Sequence, residues 1–308
     1  MQTPRPTRRR LIGAAAGLSF ASVTAAFGQE RDRRRVNVTT LSPPIEPGVT
    51  LLTAPMELAG EWGRMIPQSA MRVAELARHA SLDGVRLVSD RQPTRIRIDE
   101  HTSGPPAIWL HADGSTTAWI IVDIGERSWS QLAYQFGHEL GHVMANSWQA
   151  HARPHTPCQW LEEALVEAFS LRGLARLAAL WKQTPPFPGD GAYGEAILAY
   201  RQDVLARFQR LAADQGGLDD LHGWFVRHRE AIESEGGLLD YARAAVCAIL
   251  AKYERAPDSV EALGALNRWP GRAGLPIGDY LREWEASCRE LGASTALPAS
   301  LAARLGHV

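Results

Sequence analysis

The sequence has few cysteines, and none of them lies close to another. Only 3 occur in 308 residues, at Cys158, Cys247 and Cys288. This odd number and wide spacing exclude a disulfide framework, although a single disulfide can form in an oxidising compartment. No two cysteines form a CxxC pair, which argues against a zinc site built from thiolates.

The sequence also lacks an excess of charge of either sign. It has 33 Lys and Arg residues against 34 Asp and Glu residues, for a net charge of −1. A nucleic-acid-binding domain usually carries a basic patch or stripe, so we expect no nucleic-acid partner. The sequence has no glycine-rich phosphate loop ending in Lys-Ser or Lys-Thr and no internal repeat, which argues against a P-loop nucleotide hydrolase and a solenoid.

The sequence has no long hydrophobic run, and its longest weakly apolar run lies near the N-terminus. A weakly apolar run begins at Leu11, directly after Arg8, Arg9 and Arg10, and ends in small residues. This is the pattern of an export signal, and the run is too polar and too short for a good membrane span. We expect residues 1–28 to be removed, which leaves no stable span.

The first arginines also indicate a route of export. Residues 7–12, Thr-Arg-Arg-Arg-Leu-Ile, resemble the twin-arginine signal of bacterial proteins that are exported after folding. An ordinary export signal with extra arginines is the alternative. Either pathway predicts a periplasmic or secreted protein. Loss of residues 1–28 removes four arginines and no acid, so the mature chain has a net charge of −5.

The rest of the chain divides by composition. Residues 29–55 hold several prolines and are predicted to form an extended leader. Residues 56–180 mix helical and strand patterns, and residues 181–308 are mostly helical with loops at proline and glycine clusters. A hydrophobic fraction of 45% is typical of a globular protein with a sizeable core.

Short strand patterns interrupt the helical periodicity of the region 56–180. Residues 57–80 have helical spacing broken near Pro67, and strands are predicted at Gly84–Asp90 and at residues 94–100. Ala107–Asp123 forms two further strands around Asp113-Gly114, a hairpin pattern. The sequence therefore predicts an α+β fold, in which a small mixed sheet with a hairpin edge precedes many helices.

Near the middle of the chain, the segment AYQFGHELGHVMAN carries His138, Glu139 and His142. Positions i and i+4 share one face of a helix, so the two imidazoles can reach one tetrahedral zinc ion. Glu139 lies about 100° away around the helix. It is placed to act on a water molecule beside the metal, which is the division of labour in an HExxH motif.

A second helical pattern, CQWLEEALVEAFSLRGL, follows at Cys158–Leu174. It contains Glu162, Glu163 and Glu167, which offer carboxylates for the third ligand of a zinc site. A solvated acidic helix face is the ordinary alternative for these residues. Their identities alone leave the third ligand open.

HELGH followed one helix later by WLEEALVEAF resembles the gluzincin metallopeptidases, which include thermolysin and the zinc aminopeptidases. The resemblance implies a zincin-like catalytic region at 56–180, with the HExxH helix packed on the sheet. Matching their Trp-Leu-x-Glu pattern makes Glu163 the third zinc ligand, with Glu162 as the alternative. Glu167, four residues after Glu163, can then accept a hydrogen bond from a ligand histidine.

The resemblance also implies other parts of a peptidase site. A tyrosine leads a small-residue run in Leu238–Tyr253, which makes Tyr241 a candidate hydrogen-bond donor to the oxyanion. His222 and His228 are alternative donors. The hairpin before the HExxH helix implies an edge strand for peptide binding, formed by Ile108, Trp109, Leu110 and His111, with residues 119–122 inside it. The Gly-Ala-Met-Glu-Asn signature of the aminopeptidases is missing.

These patterns predict an exported zinc peptidase that acts on a peptide or protein of the cell envelope. Its water nucleophile would be bound to zinc and deprotonated by Glu139, the general base. Two other hypotheses stay open. One is a catalytically inactive zinc-binding scaffold of the cell envelope, and the other is a structural helical protein in which the motif arose by chance.

Overall fold

The structure is a computed structural model that describes residues 49–305, apart from 61, 63–64, 101–105, 110–115, 125–127, 150–151, 153–154, 235–239 and 270. The predicted export signal and most of the predicted leader lie outside the described residues. The last residues of the leader form a turn, in which the amide of Ala54 bonds the carbonyl of Thr50. Leu51 and Ala54 are buried in the core.

The described strands form one mixed sheet in the spatial order β1-β2-β4-β3. The strands β1, β2 and β4 run parallel to one another, and β3 is antiparallel to β4. Ile96 and Ile98 are fully buried, while Arg95 and Arg97 on the opposite face are not. The predicted alternation in this strand is therefore confirmed. The strands are β1 (Met56–Gly60), β2 (Arg95–Glu100), β3 (Ala107–Trp109) and β4 (Thr117–Val122).

The prediction of a strand at Gly84–Asp90 was wrong, and so was the helical prediction for the residues before Pro67. Met56–Gly60 forms β1, which pairs with β2 in the register Leu58 to Ile98. The segment 84–90 pairs with none of the described strands. Its apolar residues, including Val85, Leu87 and Val88, pack against the core from an irregular segment instead.

The described helices confirm an α+β fold whose sheet is followed by a mostly helical region. Helix α1 crosses from β1 to β2, and α2 contacts β3 and β4. The predicted hairpin pairing of β3 with β4 is observed, although its turn lies outside the described residues. The helices are α1 (Pro67–Leu82), α2 (Trp129–Met144), α3 (Gln159–Gln183), α4 (Tyr193–Asp214), α5 (Leu221–Ser234), α6 (Arg243–Arg255), α7 (Ile277–Glu290) and α8 (Ala296–Leu305).

Helix α3 is the central element of the fold. Every residue from Gln159 to Leu174 is buried, because α1, α2, α4 and α6 all pack around this helix. Helix α3 crosses residue 180, the predicted boundary between the mixed region and the helical region. Helices on both sides of that boundary contribute to one cluster of buried hydrophobic side chains that extends from Leu51 to Leu305. No described helix is both long and apolar enough to cross a membrane.

Two glycines allow α2 and α3 to approach closely. A Cβ atom on Gly141 would lie 2.9 Å from the Cβ of Val166 and 3.2 Å from Cδ1 of Phe169. One turn earlier, a Cβ atom on Gly137 would lie 3.1 Å from Oγ of Ser170. The glycines face α3 from the helix that carries His138 and His142, so this contact sets the distance between the histidines and the acidic residues of α3.

We predict that Gly141→Ala destabilises the protein relative to Gly137→Ala. Each change stabilises the helix by about 1 kcal/mol through helix propensity, so propensity does not contribute to the difference in stability between the two variants. Only the Gly141 change forces a methyl group into two fully buried side chains, and overpacking of this kind costs about 1–3 kcal/mol. Chemical denaturation of both variants under the same metal conditions measures the difference. A Gly141→Ala variant at least as stable as Gly137→Ala would contradict the close packing.

Candidate metal centre

Three of the predicted site residues converge where α2 meets α3. His138 and His142 lie one turn apart on α2, with ring centroids 5.1 Å apart. Glu163, in the first turns of α3, faces both rings. One ligand atom from each of the three side chains lies within 4.8 Å of the others, a grouping that can hold a metal ion.

The distances among these ligand atoms fit a tetrahedral ion. Oε2 of Glu163 lies 3.3 Å from Nε2 of His138 and 3.5 Å from Nε2 of His142. Zinc–nitrogen and zinc–oxygen bonds of about 2.0–2.1 Å give a tetrahedron with edges of roughly 3.3–3.4 Å. The two distances from Glu163 to the imidazoles therefore lie close to the edge of such a tetrahedron. The donor set, two imidazoles and a carboxylate, is one that zinc accepts in catalytic sites.

Each imidazole has a separate carboxylate on its other nitrogen. Nδ1 of His138 lies 3.2 Å from Oε2 of Glu167, and Nδ1 of His142 lies 2.7 Å from Oε1 of Glu162. An ionised carboxylate only accepts hydrogen bonds, so each Nδ1 carries the hydrogen. In the neutral tautomer this leaves the Nε2 lone pairs of both rings pointing towards Glu163. Paired carboxylates of this kind orient metal-binding histidines.

Glu162 makes a contact that the sequence analysis does not predict. Its side chain is turned towards Nδ1 of His142 and is 0% exposed. The hydroxyl of Ser147 and the amide of Asn267 also donate to its carboxylate. Its position next to Glu163, about 100° around the helix, was a usable signal. Nothing in the sequence pointed to Asn267.

Glu167 has a different set of neighbours. The hydroxyl of Tyr134 donates to its carboxylate, and a guanidinium nitrogen of Arg243 lies 4.0 Å from it. The guanidinium of Arg243 is buried and lies 4.2 Å from the ring centroid of Phe208. Burial raises the pKa of the Glu167 carboxyl, but His138 and Arg243 outweigh burial and hold that pKa below its usual value.

Glu139 lies on the next face of α2 and is only 3% exposed. Burial raises the pKa of its carboxyl, and the two nearby histidines oppose that rise. Among the described residues, none donates a hydrogen bond to this carboxylate. A buried carboxyl with a raised pKa is suited to accept a proton and release it again.

The other predicted site residues are Tyr241 and the two alternative donors, His222 and His228. The backbone of Tyr241 lies in a short 3-10 helix, Asp240–Ala242, directly before α6, and its side chain lies outside the described part of the molecule. Nδ1 of His222 lies 2.8 Å from the carbonyl of Leu305 and joins α5 to α8. The ring of His228 lies 6.4 Å from that of Trp224. No described contact joins either histidine to the three candidate ligands.

The predicted substrate strand is at the edge of the sheet in the described structure. Ile108 and the backbone of Trp109 belong to β3, which pairs only with β4 among the described strands. Leu110 and His111 lie outside the described residues. The edge is therefore in the predicted place, next to α2.

Comparison of the chain with protein-family models, curated proteins and solved structures found no match. The resemblance to the gluzincins rests on the HELGH and WLEEALVEAF segments. The contacts between α2 and α3 are an independent observation, because they come from geometry and not from matching a pattern.

Without a bound metal, the neighbouring carboxylates favour the protonated form of both imidazoles. Burial lowers the pKa of His138, but its bonds to Glu163 and Glu167 outweigh burial and raise that pKa to about 9. The pKa of His142 is raised well above its usual value by Glu163 and Glu162, also against burial. Burial raises the pKa of Glu163, yet the two histidines lower it overall. A divalent cation can replace the two imidazole protons without changing the net charge of the site.

We predict that zinc binding at pH 7 releases about two protons per ion, one from each imidazole. The pKa of His138 is raised to about 9 and that of His142 is raised well above its usual value, so protons compete with zinc and the apparent affinity should rise as the pH increases above 7. Calorimetric titration with zinc in buffers of different ionisation enthalpy measures the release. Release of less than about half a proton would mean that the histidines are already neutral before zinc binds.

Proposed function

We propose that the protein is an exported zinc-dependent peptidase of gluzincin type. The observation that carries the proposal is the convergence of Nε2 of His138 and Nε2 of His142 on the carboxylate of Glu163. The arrangement would supply three protein ligands, the number found in catalytic zinc sites, whereas structural zinc sites usually have four.

His138, His142 and Glu163 would hold the zinc ion, which would supply a Lewis acid for a substrate carbonyl and would lower the pKa of water to about 7. Glu139 accepts the proton of the attacking water and returns it to the leaving amine. Its burial supports this role, because the raised pKa of its carboxyl brings it closer to working pH. His138 and His142 stay in one tautomer because Glu167 and Glu162 accept from their Nδ1 atoms.

The substrate we propose is an extended peptide or protein segment of the cell envelope. It would pair with the outer edge of β3 through its backbone and so lie beside α2, in a zincin-like arrangement. Tyr241 is the proposed donor to the oxyanion, since it lies at the start of α6, the helix that also carries Arg243 next to Glu167. Export rests on the signal-like pattern of residues 1–28 and on the twin-arginine resemblance.

The roles of Glu139 and Glu163 can be separated by the same substitution. We predict that Glu139→Gln retains zinc but loses peptidase activity by about 10²–10⁴-fold, the usual contribution of a general base. Glu163→Gln removes a charged ligand, so its zinc occupancy should fall together with activity. Zinc content and hydrolysis of a mixed peptide library are measured for both variants and wild type.

Glu261→Gln is the matched control, because Glu261 is a buried glutamate that pairs with Arg86 away from the site. It should keep both zinc and activity. Loss of zinc from Glu139→Gln with retention in Glu163→Gln would reverse the assigned roles. Stoichiometric zinc in a wild-type protein that cleaves nothing in the library would favour the inactive scaffold.

A further inference from the structure

A buried hydrogen-bond network connects the metal centre to a segment about 100 residues further along the chain. Its members are Glu162, Ser147 and Asn267, with exposures of 0%, 3% and 1%. Ser147 follows the end of α2, Glu162 begins α3, and Asn267 follows a 3-10 helix at Pro257–Ala265. None of the three belongs to the grouping of possible metal ligands formed by His138, His142 and Glu163.

The end of α2 explains how Ser147 reaches this place. Asn146 has a φ of 70°, in the left-handed region. The amide of Asn146 bonds the carbonyl of Val143, and the amide of Ser147 bonds the carbonyl of His142. These two bonds form a Schellman motif, which turns the chain back over the last turn of the helix. The hydroxyl of Ser147 is therefore returned to the side of His142.

The hydrogen-bond directions in the network follow from its chemistry. The carboxylate of Glu162 only accepts, so the amide of Asn267 must present Nδ2 to it. The second hydrogen of Nδ2 donates to Oγ of Ser147 at 2.9 Å. The single hydroxyl hydrogen of Ser147 is then left to donate to Glu162. With both donors committed, the remaining acceptor capacity of Oε1 faces Nδ1 of His142 at 2.7 Å.

We propose that Asn267 and Ser147 are positioning residues of the metal centre, which act by holding Glu162 against His142. The proposal rests on the proposed function only in that the metal is zinc. No described contact joins Asn267 or Ser147 to the Nε2 atoms of the two histidines or to the carboxylate of Glu163. Their effect passes through Glu162, which orients the ring of His142 and keeps its Nε2 lone pair towards the ion. The backbone of Asn267 is itself held by the carbonyl of Ala145 at 3.3 Å.

The test measures zinc affinity by competition with a chelator in the full-length protein. We expect Asn267→Ala and, as a milder variant, Ser147→Ala each to weaken zinc binding about 10- to 100-fold, the usual effect of removing such partners. Glu162→Gln should weaken it to a similar extent. The Co²⁺-substituted variants should also show altered visible absorption bands, because the orientation of His142 has changed.

Non-additivity distinguishes positioning from general structural damage. If Asn267 acts through Glu162, then Asn267→Ala in a Glu162→Gln background should cause little further loss of zinc affinity. Ser259→Ala is the matched control. Ser259 is 0% exposed and lies in the 3-10 helix of the same neighbouring segment, and no described contact joins its hydroxyl to Glu162. Its zinc affinity should stay within about threefold of wild type, since residues outside such a network change affinity little.

Three outcomes would overturn the proposal while leaving zinc binding intact. They are wild-type affinity in both Asn267→Ala and Ser147→Ala, fully additive losses in the double variant, or an equal loss in Ser259→Ala. Failure of wild-type protein to bind zinc at all would overturn the proposed function instead, so the two failures can be told apart.

Discussion

Buried carboxylates impose the constraint on which the rest of this structure depends. Glu139, Glu162, Glu163 and Glu167 are all at most 7% exposed and lie between α2 and α3. An isolated buried charge costs several kcal/mol, so each needs a compensating donor or cation. His138 and His142 supply that compensation as imidazolium cations when no metal is present. A divalent cation can do so with both imidazoles neutral. The buried carboxylates, which would destabilise the fold without a compensating cation, thus favour the binding of a metal ion.

Helix packing turns this charge balance into a defined geometry. Gly137 and Gly141 let α2 lie against α3 so closely that a methyl group on Gly141 would collide with Val166. At that separation, Glu163 reaches both Nε2 atoms at nearly the edge length of a zinc tetrahedron. The charged groups and the glycines therefore depend on each other. The glycines bring the helices together, and the paired charges make burial of that interface tolerable.

Features with a local periodic origin were predictable from the sequence, whereas features that depend on tertiary contacts were not. The histidine pair follows from the i, i+4 geometry of a helix, and β2 follows from the alternation of Ile96 and Ile98. The strand predicted at Gly84–Asp90 was wrong: the chain pairs Met56–Gly60 with β2 instead, and pairing partners are not encoded locally. Ser147 reaches Glu162 through the Schellman turn after α2, and Asn267 reaches Glu162 through the packing of a distant segment. The sequence predicts the grouping of His138, His142 and Glu163, whereas the hydrogen bonds around it depend on tertiary contacts.

Anomalous X-ray diffraction at the zinc absorption edge, from crystals of the zinc-loaded protein, tests the metal centre most directly. We expect one strong peak per chain at about 2.0–2.2 Å from Nε2 of His138, Nε2 of His142 and a carboxylate oxygen of Glu163. Glu162 and Glu167 should remain on the Nδ1 atoms of the two rings. Absence of a peak at this position, or a peak bonded to Glu162 in place of Glu163, would contradict the centre described here.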